Sequence, residues 1–173
     1  MRTQHGTLFA VLIATLMVIA ADQLTKEIIV RTIGPEADRH TIEIIPGFFH
    51  FTFVRNTGSA FGLFQGQSAL LTVLAIGAII FLAAYYFRKA RHDSLVAIGL
   101  ALQLGGAVGN VVDRFRYGYV VDFLDFPRFP TFNLADSAIT IGVVLLMYAL
   151  IFRDYEKSEP SKEPQLQSTG EDS

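Results

Sequence analysis

Two aspartates lie in or beside apolar segments, where a charged side chain is costly unless it has a partner. Asp122 lies in the aromatic and apolar stretch 117–123, and Asp136 lies near the start of the apolar run 134–152. An ionised Asp at the centre of a membrane helix costs roughly 2.5–3.5 kcal/mol, so Asp136 needs a compensating environment. When two carboxyls share a partly dry site, one keeps its proton while the other ionises. Such a pair could activate a water and polarise a scissile carbonyl, which is aspartic protease chemistry.

Each aspartate also has a purely structural explanation. Asp136 could cap a helix, because a carboxylate interacts favourably with the free amides and the dipole at a helix N-terminus. Asp122 could be a solvated loop carboxylate, or an ion-pair partner of Arg114 or Arg116. Residue type and position leave these explanations open.

Other catalytic chemistries have weaker support. The sequence contains neither H-E-x-x-H nor G-x-S-x-G and has no cysteine, which argues against zinc peptidase, serine and cysteine nucleophile mechanisms. A metal held by Asp122, Asp136 and His50 is a further alternative, but His50 has no second ligand at metal-binding spacing. We therefore expect no metal and no cofactor.

The composition indicates a membrane protein. The chain has 173 residues, of which 51% are hydrophobic and 17% charged, with 14 Lys plus Arg against 16 Asp plus Glu and a formal net charge of −2. The mean hydropathy is +0.42. This balance excludes a largely disordered chain and gives no basis for nucleic-acid binding. Apolar runs predict four spans, at about 7–26, 69–87, 95–112 and 134–152.

The first apolar run also has features of a cleaved secretory signal. Arg2, the apolar stretch and the small pair Ala20 and Ala21 fit that pattern. Cleavage would leave Asp22 and Lys26 at a frayed new N-terminus. We therefore interpret the run as a retained first helix.

Four spans place the links after the first and third spans on one side of the bilayer, here called the outer side. Asp122 and Asp136 are therefore expected on the outer face. Asn56, Asn110 and Asn133 lie beside span boundaries on the same face. An asparagine can hydrogen-bond an extended peptide or a carboxylate, although it is also a common helix cap.

The segments outside the spans differ in character. Phe49, Phe51 and Phe53 alternate with other residues after a Pro46-Gly47 turn, which predicts a small β region at about 40–56. Residues 153–173 are polar, so we expect a disordered cytoplasmic tail. Basic residues crowd the link at 88–91, which favours cytoplasmic termini.

The predicted fold is an all-α membrane protein. It is a four-helix bundle with a small β-sheet or hairpin at the outer surface, in one domain over 1–152.

Four ordered sequence blocks lie at the predicted span boundaries: DQLTK from residue 22, VRNTGSAFG from 54, GGAVGNVVDRFRYGYVVDF from 105 and FNLADS from 132. Together they resemble the lipoprotein signal peptidases, the bacterial type II signal peptidases. The resemblance implies an aspartic endopeptidase of the bacterial inner membrane that cleaves prolipoproteins just before a diacylglyceryl-modified cysteine. It also implies cytoplasmic termini, an active site at the periplasmic face, and inhibition by the cyclic peptide globomycin.

The same resemblance implies roles for individual residues. Asp122 and Asp136 match the catalytic pair, and Asp113 matches a residue that supports Arg114. The further residues implied to line or order the site are Asn56, Gly58, Asn110, Asn133, Asp22 and Lys26.

Two alternatives come from other functional classes. A small proton-coupled transporter would carry polar groups across the depth of the bilayer, whereas here they cluster at one end. A non-catalytic assembly factor would tolerate asparagine in place of both aspartates. The expected partners are a prolipoprotein with a diacylglyceryl-cysteine, membrane lipids and globomycin-type inhibitors. We expect a monomer that binds no nucleic acid.

Overall fold

Long apolar helices and a small sheet make up the described part of the chain, residues 2–35, 41–58, 63–90 and 93–153 of the computed structural model. The helices are α1 (Arg2–Ile33), α2 (Ser68–Tyr85), α3 (Ser94–Tyr117) and α4 (Leu134–Tyr148). The strands are β1 (Thr41–Ile45), β2 (Phe49–Asn56) and β3 (Val120–Asp125). Helices α2 and α4 each continue into one turn of wider π-helix, Tyr86–Ala90 and Ala149–Arg153. Residues 154–173, most of the predicted tail, lie outside the described residues.

All four helices are long and apolar enough to cross a membrane. With the small sheet, they confirm the predicted fold class. Helix α1 extends past residue 26 to Ile33, and α3 extends past residue 112 to Tyr117. Both helices therefore carry polar residues in their last turns, at the end of the bundle where the sheet lies.

Helix α3 is the central helix of the bundle. Buried residues recur along its whole length, whereas the described residues of α2 include none that is buried, as expected for a helix that faces lipid. Helix α3 begins at Asp93, whose side chain accepts hydrogen bonds from the amides of Leu95 and Val96. It ends at Gly118, whose φ of 78° is left-handed and favours glycine. This turn sends the chain directly into β3.

The sheet is antiparallel, with strand order β1-β2-β3. The predicted hairpin corresponds to β1 and β2, but β3 was not predicted as a strand. Val121 and Phe123 of β3 are buried against Ile29 and Ile33 of α1. Because successive strand residues point to opposite faces, Asp122 points away from α1.

Glycines allow α3 to pack closely against two neighbouring helices. A Cβ added to Gly106 would lie 2.4 Å from the carbonyl oxygen of Ala135 in α4. One added to Gly109 would lie 2.5 Å from Asp22 Oδ2 in α1. These contacts bring Asp22 and the start of α4 against the same part of α3.

We expect Gly106→Ala to destabilise the protein by about 1–3 kcal/mol, the usual cost of overpacking, because its new Cβ would collide with the backbone of α4. Thermal unfolding of the wild type and the variant in detergent measures this loss of stability. The matched control is Gly77→Ala in α2, where a Cβ meets no atom within 4 Å. An equal loss of stability in both variants would contradict the packing role of Gly106.

Candidate active site

Asp122 and Asp136 lie where β3 approaches the first turn of α4. The Asp122 side chain is buried, and both of its oxygens accept hydrogen bonds from amide groups. Asn133 Nδ2 donates to Asp122 Oδ1 at 2.7 Å, and Asn56 Nδ2 donates to Asp122 Oδ2 at 2.8 Å. Asp136 Oδ1 accepts a hydrogen bond from Asn110 Nδ2 at 2.8 Å. The three asparagines that the sequence singled out therefore all contact the two carboxyls.

Two of these asparagines also contact each other. Asn133 Nδ2 lies 3.2 Å from Asn110 Oδ1 and can donate to it. The two carboxyls thus belong to one hydrogen-bond network that joins β3, α3 and α4. We call Asp122 and Asp136 the aspartate pair.

The capping explanation for Asp136 is partly correct. Asn133 is the N-cap of α4, and its side chain accepts a hydrogen bond from the Asp136 amide at 2.9 Å. The Asp136 side chain accepts in return from the Asn133 amide, at 3.4 Å, which completes a capping box. This contact uses Oδ2, whereas Oδ1 contacts Asn110. Asp136 therefore orders the start of α4 while it faces the network.

A cavity of about 530 Å³ lies beside the aspartate pair. It extends from the pair along α4 to Ile141, whose side chain is exposed on the apolar surface of the bundle. Its other walls come from β2, β3, α3 and the segment before α4. The lining residues include Asn56, Gly58, Asn110, Arg114, Phe129, Pro130, Thr131 and Phe132.

Arg114 provides a cationic side chain in the wall of this cavity. Its guanidinium donates to the carbonyl oxygens of Asn110 and Gly58, each at 3.4 Å. Its Nε is buried and has no hydrogen-bond partner within the described residues. Gly58 is further ordered by a hydrogen bond from its amide to Asn56 Oδ1 at 2.9 Å. Arg114 is thus held in the cavity wall by α3 and by the backbone at Gly58.

The charge of Asp113 acts on Arg114, but within the described residues no ion pair or hydrogen bond joins the two side chains. In the described part of the chain, the ion pair of Asp113 is with Lys26 Nζ, at 2.9 Å. Lys26 also lies 3.0 Å from Asp22 Oδ2 and 3.0 Å from Asn110 Oδ1. Asp22, Lys26 and Asp113 are all buried. They form a buried charged cluster that contacts the network of the aspartate pair through Asn110.

Arg114 lines the same cavity as Asp122 and their charges interact, whereas Arg116 and His50 pair with other residues. Arg116 pairs with Glu27 at 3.3 Å. His50 Nε2 lies 3.3 Å from Glu43 Oε1. Among the described residues, no group of three His, Asp or Glu side chains is arranged to hold a metal ion. In the described residues, the side chain of Asp122 hydrogen-bonds only to the side chains of Asn56 and Asn133.

The electrostatic environment raises the pKa of Asp122 from 3.8 to about 7. Burial is the largest cause, because it disfavours the charged carboxylate, and the nearby Asp136 carboxyl adds to the effect. The hydrogen bonds from Asn56 and Asn133 oppose the shift. A carboxyl with this pKa can gain or lose a proton near neutral pH.

The family model for signal peptidase (SPase) II matches residues 14–152. The chain belongs to the signal peptidase II family. This confirms the resemblance drawn from the four sequence blocks.

Relatives in the family cover most of the chain. A lipoprotein signal peptidase of Halothermothrix orenii is 43% identical over 140 residues, which is 81% of this chain and 94% of the relative. A lipoprotein signal peptidase of Moorella thermoacetica is 43% identical over 154 residues, 88% of this chain and 98% of the relative. A solved bacterial membrane enzyme, determined by the in meso method at 2.3 Å resolution, superposes with a TM-score of 0.79 at 33% identity. The alignment covers 89% of this chain and 93% of that enzyme. With the four apolar helices, it supports a multi-pass membrane protein.

Gln23 was missed as a candidate residue. Its Nε2 lies within 3.0–3.2 Å of Asp113 Oδ1, Asp22 Oδ2 and the carbonyl oxygen of Gly109. The available signal was its position inside the DQLTK block, between Asp22 and Lys26. Phe129 belongs to the aromatic residues that the sequence places at the outer surface, whereas the lining residues Pro130, Thr131 and Phe132 were missed, because their approach to the cavity depends on tertiary contacts.

Proposed function

We propose that this chain is a membrane aspartic endopeptidase that removes the signal peptide from prolipoproteins. The cleavage would occur just before a cysteine that carries a diacylglyceryl group. The observation that carries the proposal is the aspartate pair, with Asp122 buried and Asp136 half-buried, linked by asparagine amides in the wall of a cavity that runs along a membrane helix. Membership of the signal peptidase II family supports the same substrate class.

In the proposed reaction the aspartate pair shares one proton. The ionised carboxyl takes a proton from a water whose oxygen attacks the scissile carbonyl carbon, while the protonated carboxyl hydrogen-bonds the carbonyl oxygen. The carbon–nitrogen bond then breaks, and a proton passes from the pair to the leaving nitrogen. No covalent intermediate with the protein is needed. The Arg114 guanidinium in the cavity wall is suited to hydrogen-bond a carbonyl oxygen of the bound peptide.

The surroundings of the cavity suit a substrate that arrives within the bilayer. Phe129 and Phe132 line the cavity, and their rings contact each other edge to face at a centroid distance of 5.6 Å. Phe126 stacks against Phe132 and against Phe49 of β2. Aromatic side chains are common at the membrane–water interface. We propose that this aromatic surface lies at the depth where the lipidated cysteine leaves the membrane.

The proposed location is the bacterial inner membrane, with cytoplasmic termini and the site at the periplasmic face. The two alternative functions fit the observations less well. A transporter requires polar groups across the membrane, whereas the described charged side chains in the bundle interior lie at one end. An assembly factor gives no reason for two carboxyls that share one hydrogen-bond network beside a cavity.

Cleavage of a defined precursor by the purified protein in detergent tests the proposal. The substrate is a prolipoprotein with a diacylglyceryl-modified cysteine, and the matched control is the same precursor without the lipid. We expect cleavage of the lipidated form only, with the modified cysteine as the new N-terminus by mass spectrometry. The activity should persist with a metal chelator and be blocked by globomycin. Equal cleavage of both precursors, or a cut at another bond, would contradict the proposed specificity.

We expect the cleavage rate to fall as the pH rises through about 7. The folded pKa of Asp122 is raised to about 7, so the shared proton is held below that pH and lost above it. An apparent pKa measured in this way belongs to the coupled pair rather than to one residue. The test is kcat as a function of pH with the lipidated precursor. A rate that keeps rising well above neutral pH would contradict the need for a protonated carboxyl.

A further inference from the structure

Another cavity lies at the end of the bundle where α1 and α3 begin, opposite the aspartate pair. Its volume of about 420 Å³ falls within the range of roughly 300–1,000 Å³ that is usual for ligand sites. We call it the α1–α3 cleft. Its walls include Gly6, Ala10 and Ala14 of α1 and Ser94, Ala97 and Ala101 of α3.

The α1–α3 cleft is wedge-shaped. The two helices touch at its closed end, where Thr15 Oγ1 donates to the carbonyl oxygen of Ala101 at 3.3 Å. One turn further on, a Cβ added to Gly105 would lie 2.6 Å from Val18 Cβ. At the mouth, in contrast, a Cβ added to Gly6 would meet no described atom of a neighbouring element within 4 Å. The cleft therefore opens towards the helix ends and closes towards the middle of the bundle.

One side of the cleft faces lipid. Val11 and Ala97 are buried at its floor. Ala10 and Ile98 lie at its rim, and both are exposed on helices that are long and apolar enough to cross a membrane. The cleft is thus apolar inside and accessible from the bilayer.

The length of the cleft matches one leaflet of a bilayer. Gly6 and Ala14 are eight residues apart, which is about 12 Å along a helix. The hydrocarbon core of a bilayer is about 30 Å thick, so one leaflet contributes about 15 Å. A membrane-spanning partner helix would have to leave the cleft after Ala14, because α1 and α3 are in contact beyond it. The length therefore favours an acyl chain over a second transmembrane helix.

A basic turn packs beside the mouth. Tyr86, the first residue of the π-helical turn after α2, is buried in the same apolar cluster as Val11 and Ala97 of the cleft floor. The turn contains Arg88 and Lys89, and the side chain of Arg88 is exposed. A cationic side chain thus lies at the end of the bundle where the cleft opens.

The sequence gives this end of α1 and α3 a positive charge. Arg2 precedes Gly6 by four residues, and Arg91 lies in the link that precedes α3. Asp93 is the single acidic residue in 1–14 and 86–101, and its side chain caps α3. Clusters of Lys and Arg beside membrane helices attract anionic lipid headgroups. The charge at the mouth therefore complements a negative headgroup.

We propose that the α1–α3 cleft binds one anionic glycerophospholipid from the leaflet opposite the aspartate pair. One acyl chain fills the cleft down to the contact between Thr15 and Ala101. The phosphate lies at the mouth, near Arg88, and the positive charge there selects an anionic headgroup over a zwitterionic one. This site is separate from the aspartate pair and does not rest on the proposed function.

Fluorescence quenching in vesicles tests the site, because the chain contains no tryptophan. Ile98→Trp places a single indole at the rim of the cleft. The vesicles are phosphatidylcholine with added brominated phosphatidylglycerol or brominated phosphatidylcholine, whose bromine atoms quench a nearby indole. We expect brominated phosphatidylglycerol to be preferred about tenfold, since each nearby basic side chain contributes roughly a factor of five. The matched control is Ala20→Trp, an exposed position of α1 outside the cleft, where we expect no preference.

Two further substitutions in Ile98→Trp separate the charge from the cleft. Arg88→Gln should lower the preference about fivefold. Arg31→Gln, which removes a cation from an exposed ion pair at the far end of α1, should leave it unchanged. Ala10→Phe introduces a ring at the rim of the cleft and should abolish the preference.

Thermal unfolding in detergent provides a readout without tryptophan. Phosphatidylglycerol should raise the Tm of the wild type more than phosphatidylcholine does, because a ligand that binds the folded state stabilises it. The difference should disappear in Ala10→Phe. The same measurement shows whether each variant is folded.

Three results would overturn the proposal. The first is equal quenching by the two brominated lipids in Ile98→Trp. The second is a preference that persists in both Arg88→Gln and Ala10→Phe. The third is weak quenching by both lipids that becomes strong when the protein is diluted with lipid, because a second copy of the chain would then cover the cleft.

Discussion

Asp122→Asn and Asp136→Asn are each expected to reduce cleavage of the lipidated precursor by about 10²–10⁴-fold, the usual contribution of a positioned acid or base. An amide cannot exchange a proton with the attacking water or the leaving nitrogen. In Asp122→Asn, the new NH₂ group would also face one of the two amide donors, Asn56 or Asn133, that now donate to the carboxyl. The measurement is kcat with purified variants in detergent.

The matched control for these variants is Asp125→Asn on the same strand. Asp125 accepts hydrogen bonds from the hydroxyls of Thr52 and Thr131 and makes no contact with the aspartate pair within the described residues. Its kcat should stay close to that of the wild type. Cleavage retained by Asp122→Asn or Asp136→Asn would exclude the proposed mechanism and favour a non-catalytic role. Thermal unfolding of all three variants shows whether any loss of activity reflects loss of the fold.

The helical part of the fold was predictable because its signal is local. An apolar run long enough to cross a bilayer can be recognised without knowledge of its neighbours. Strand β3 was not recognised, because it exists through pairing with β2, a partner more than sixty residues earlier in the chain. Its sequence also follows α3 directly, so no loop marks its beginning. The predicted β region therefore lacked the strand that carries Asp122.

The candidate site was predictable in its residue types but not in its partners. Carboxylates and asparagines at one membrane face indicated a shared site, and the asparagines do contact both carboxyls. The spacing of residues in the sequence does not show which side chain pairs with Asp113, because the pairing depends on side-chain geometry in the folded protein. Asp113 is adjacent to Arg114 in sequence, yet successive helix residues point in different directions. Its ion pair is with Lys26, from a helix that precedes it by more than eighty residues.

Asn133 is expected to have two separable roles, as a helix cap and as a donor to Asp122. Serine is as good an N-cap as asparagine but cannot supply the amide donor. Asn133→Ser should therefore keep most of the stability and lose the 2.7 Å hydrogen bond to Asp122. A hydrogen bond to a charged group contributes about 1.5–3 kcal/mol, so kcat should fall about 10–100-fold.

The same substitution should also change the pH profile in a defined direction. The Asn133 hydrogen bond lowers the pKa of Asp122, so its removal should move that pKa further above about 7. The fall in rate on the alkaline side should then begin at a higher pH than in the wild type. Asn133→Ala provides the comparison, because it loses the cap as well and should cost about 1 kcal/mol more stability at a similar kcat. If Asn133→Ser kept both the kcat and the pH profile of the wild type, Asn133 would act only as a helix cap. Its hydrogen bond to Asp122 would then have no catalytic role.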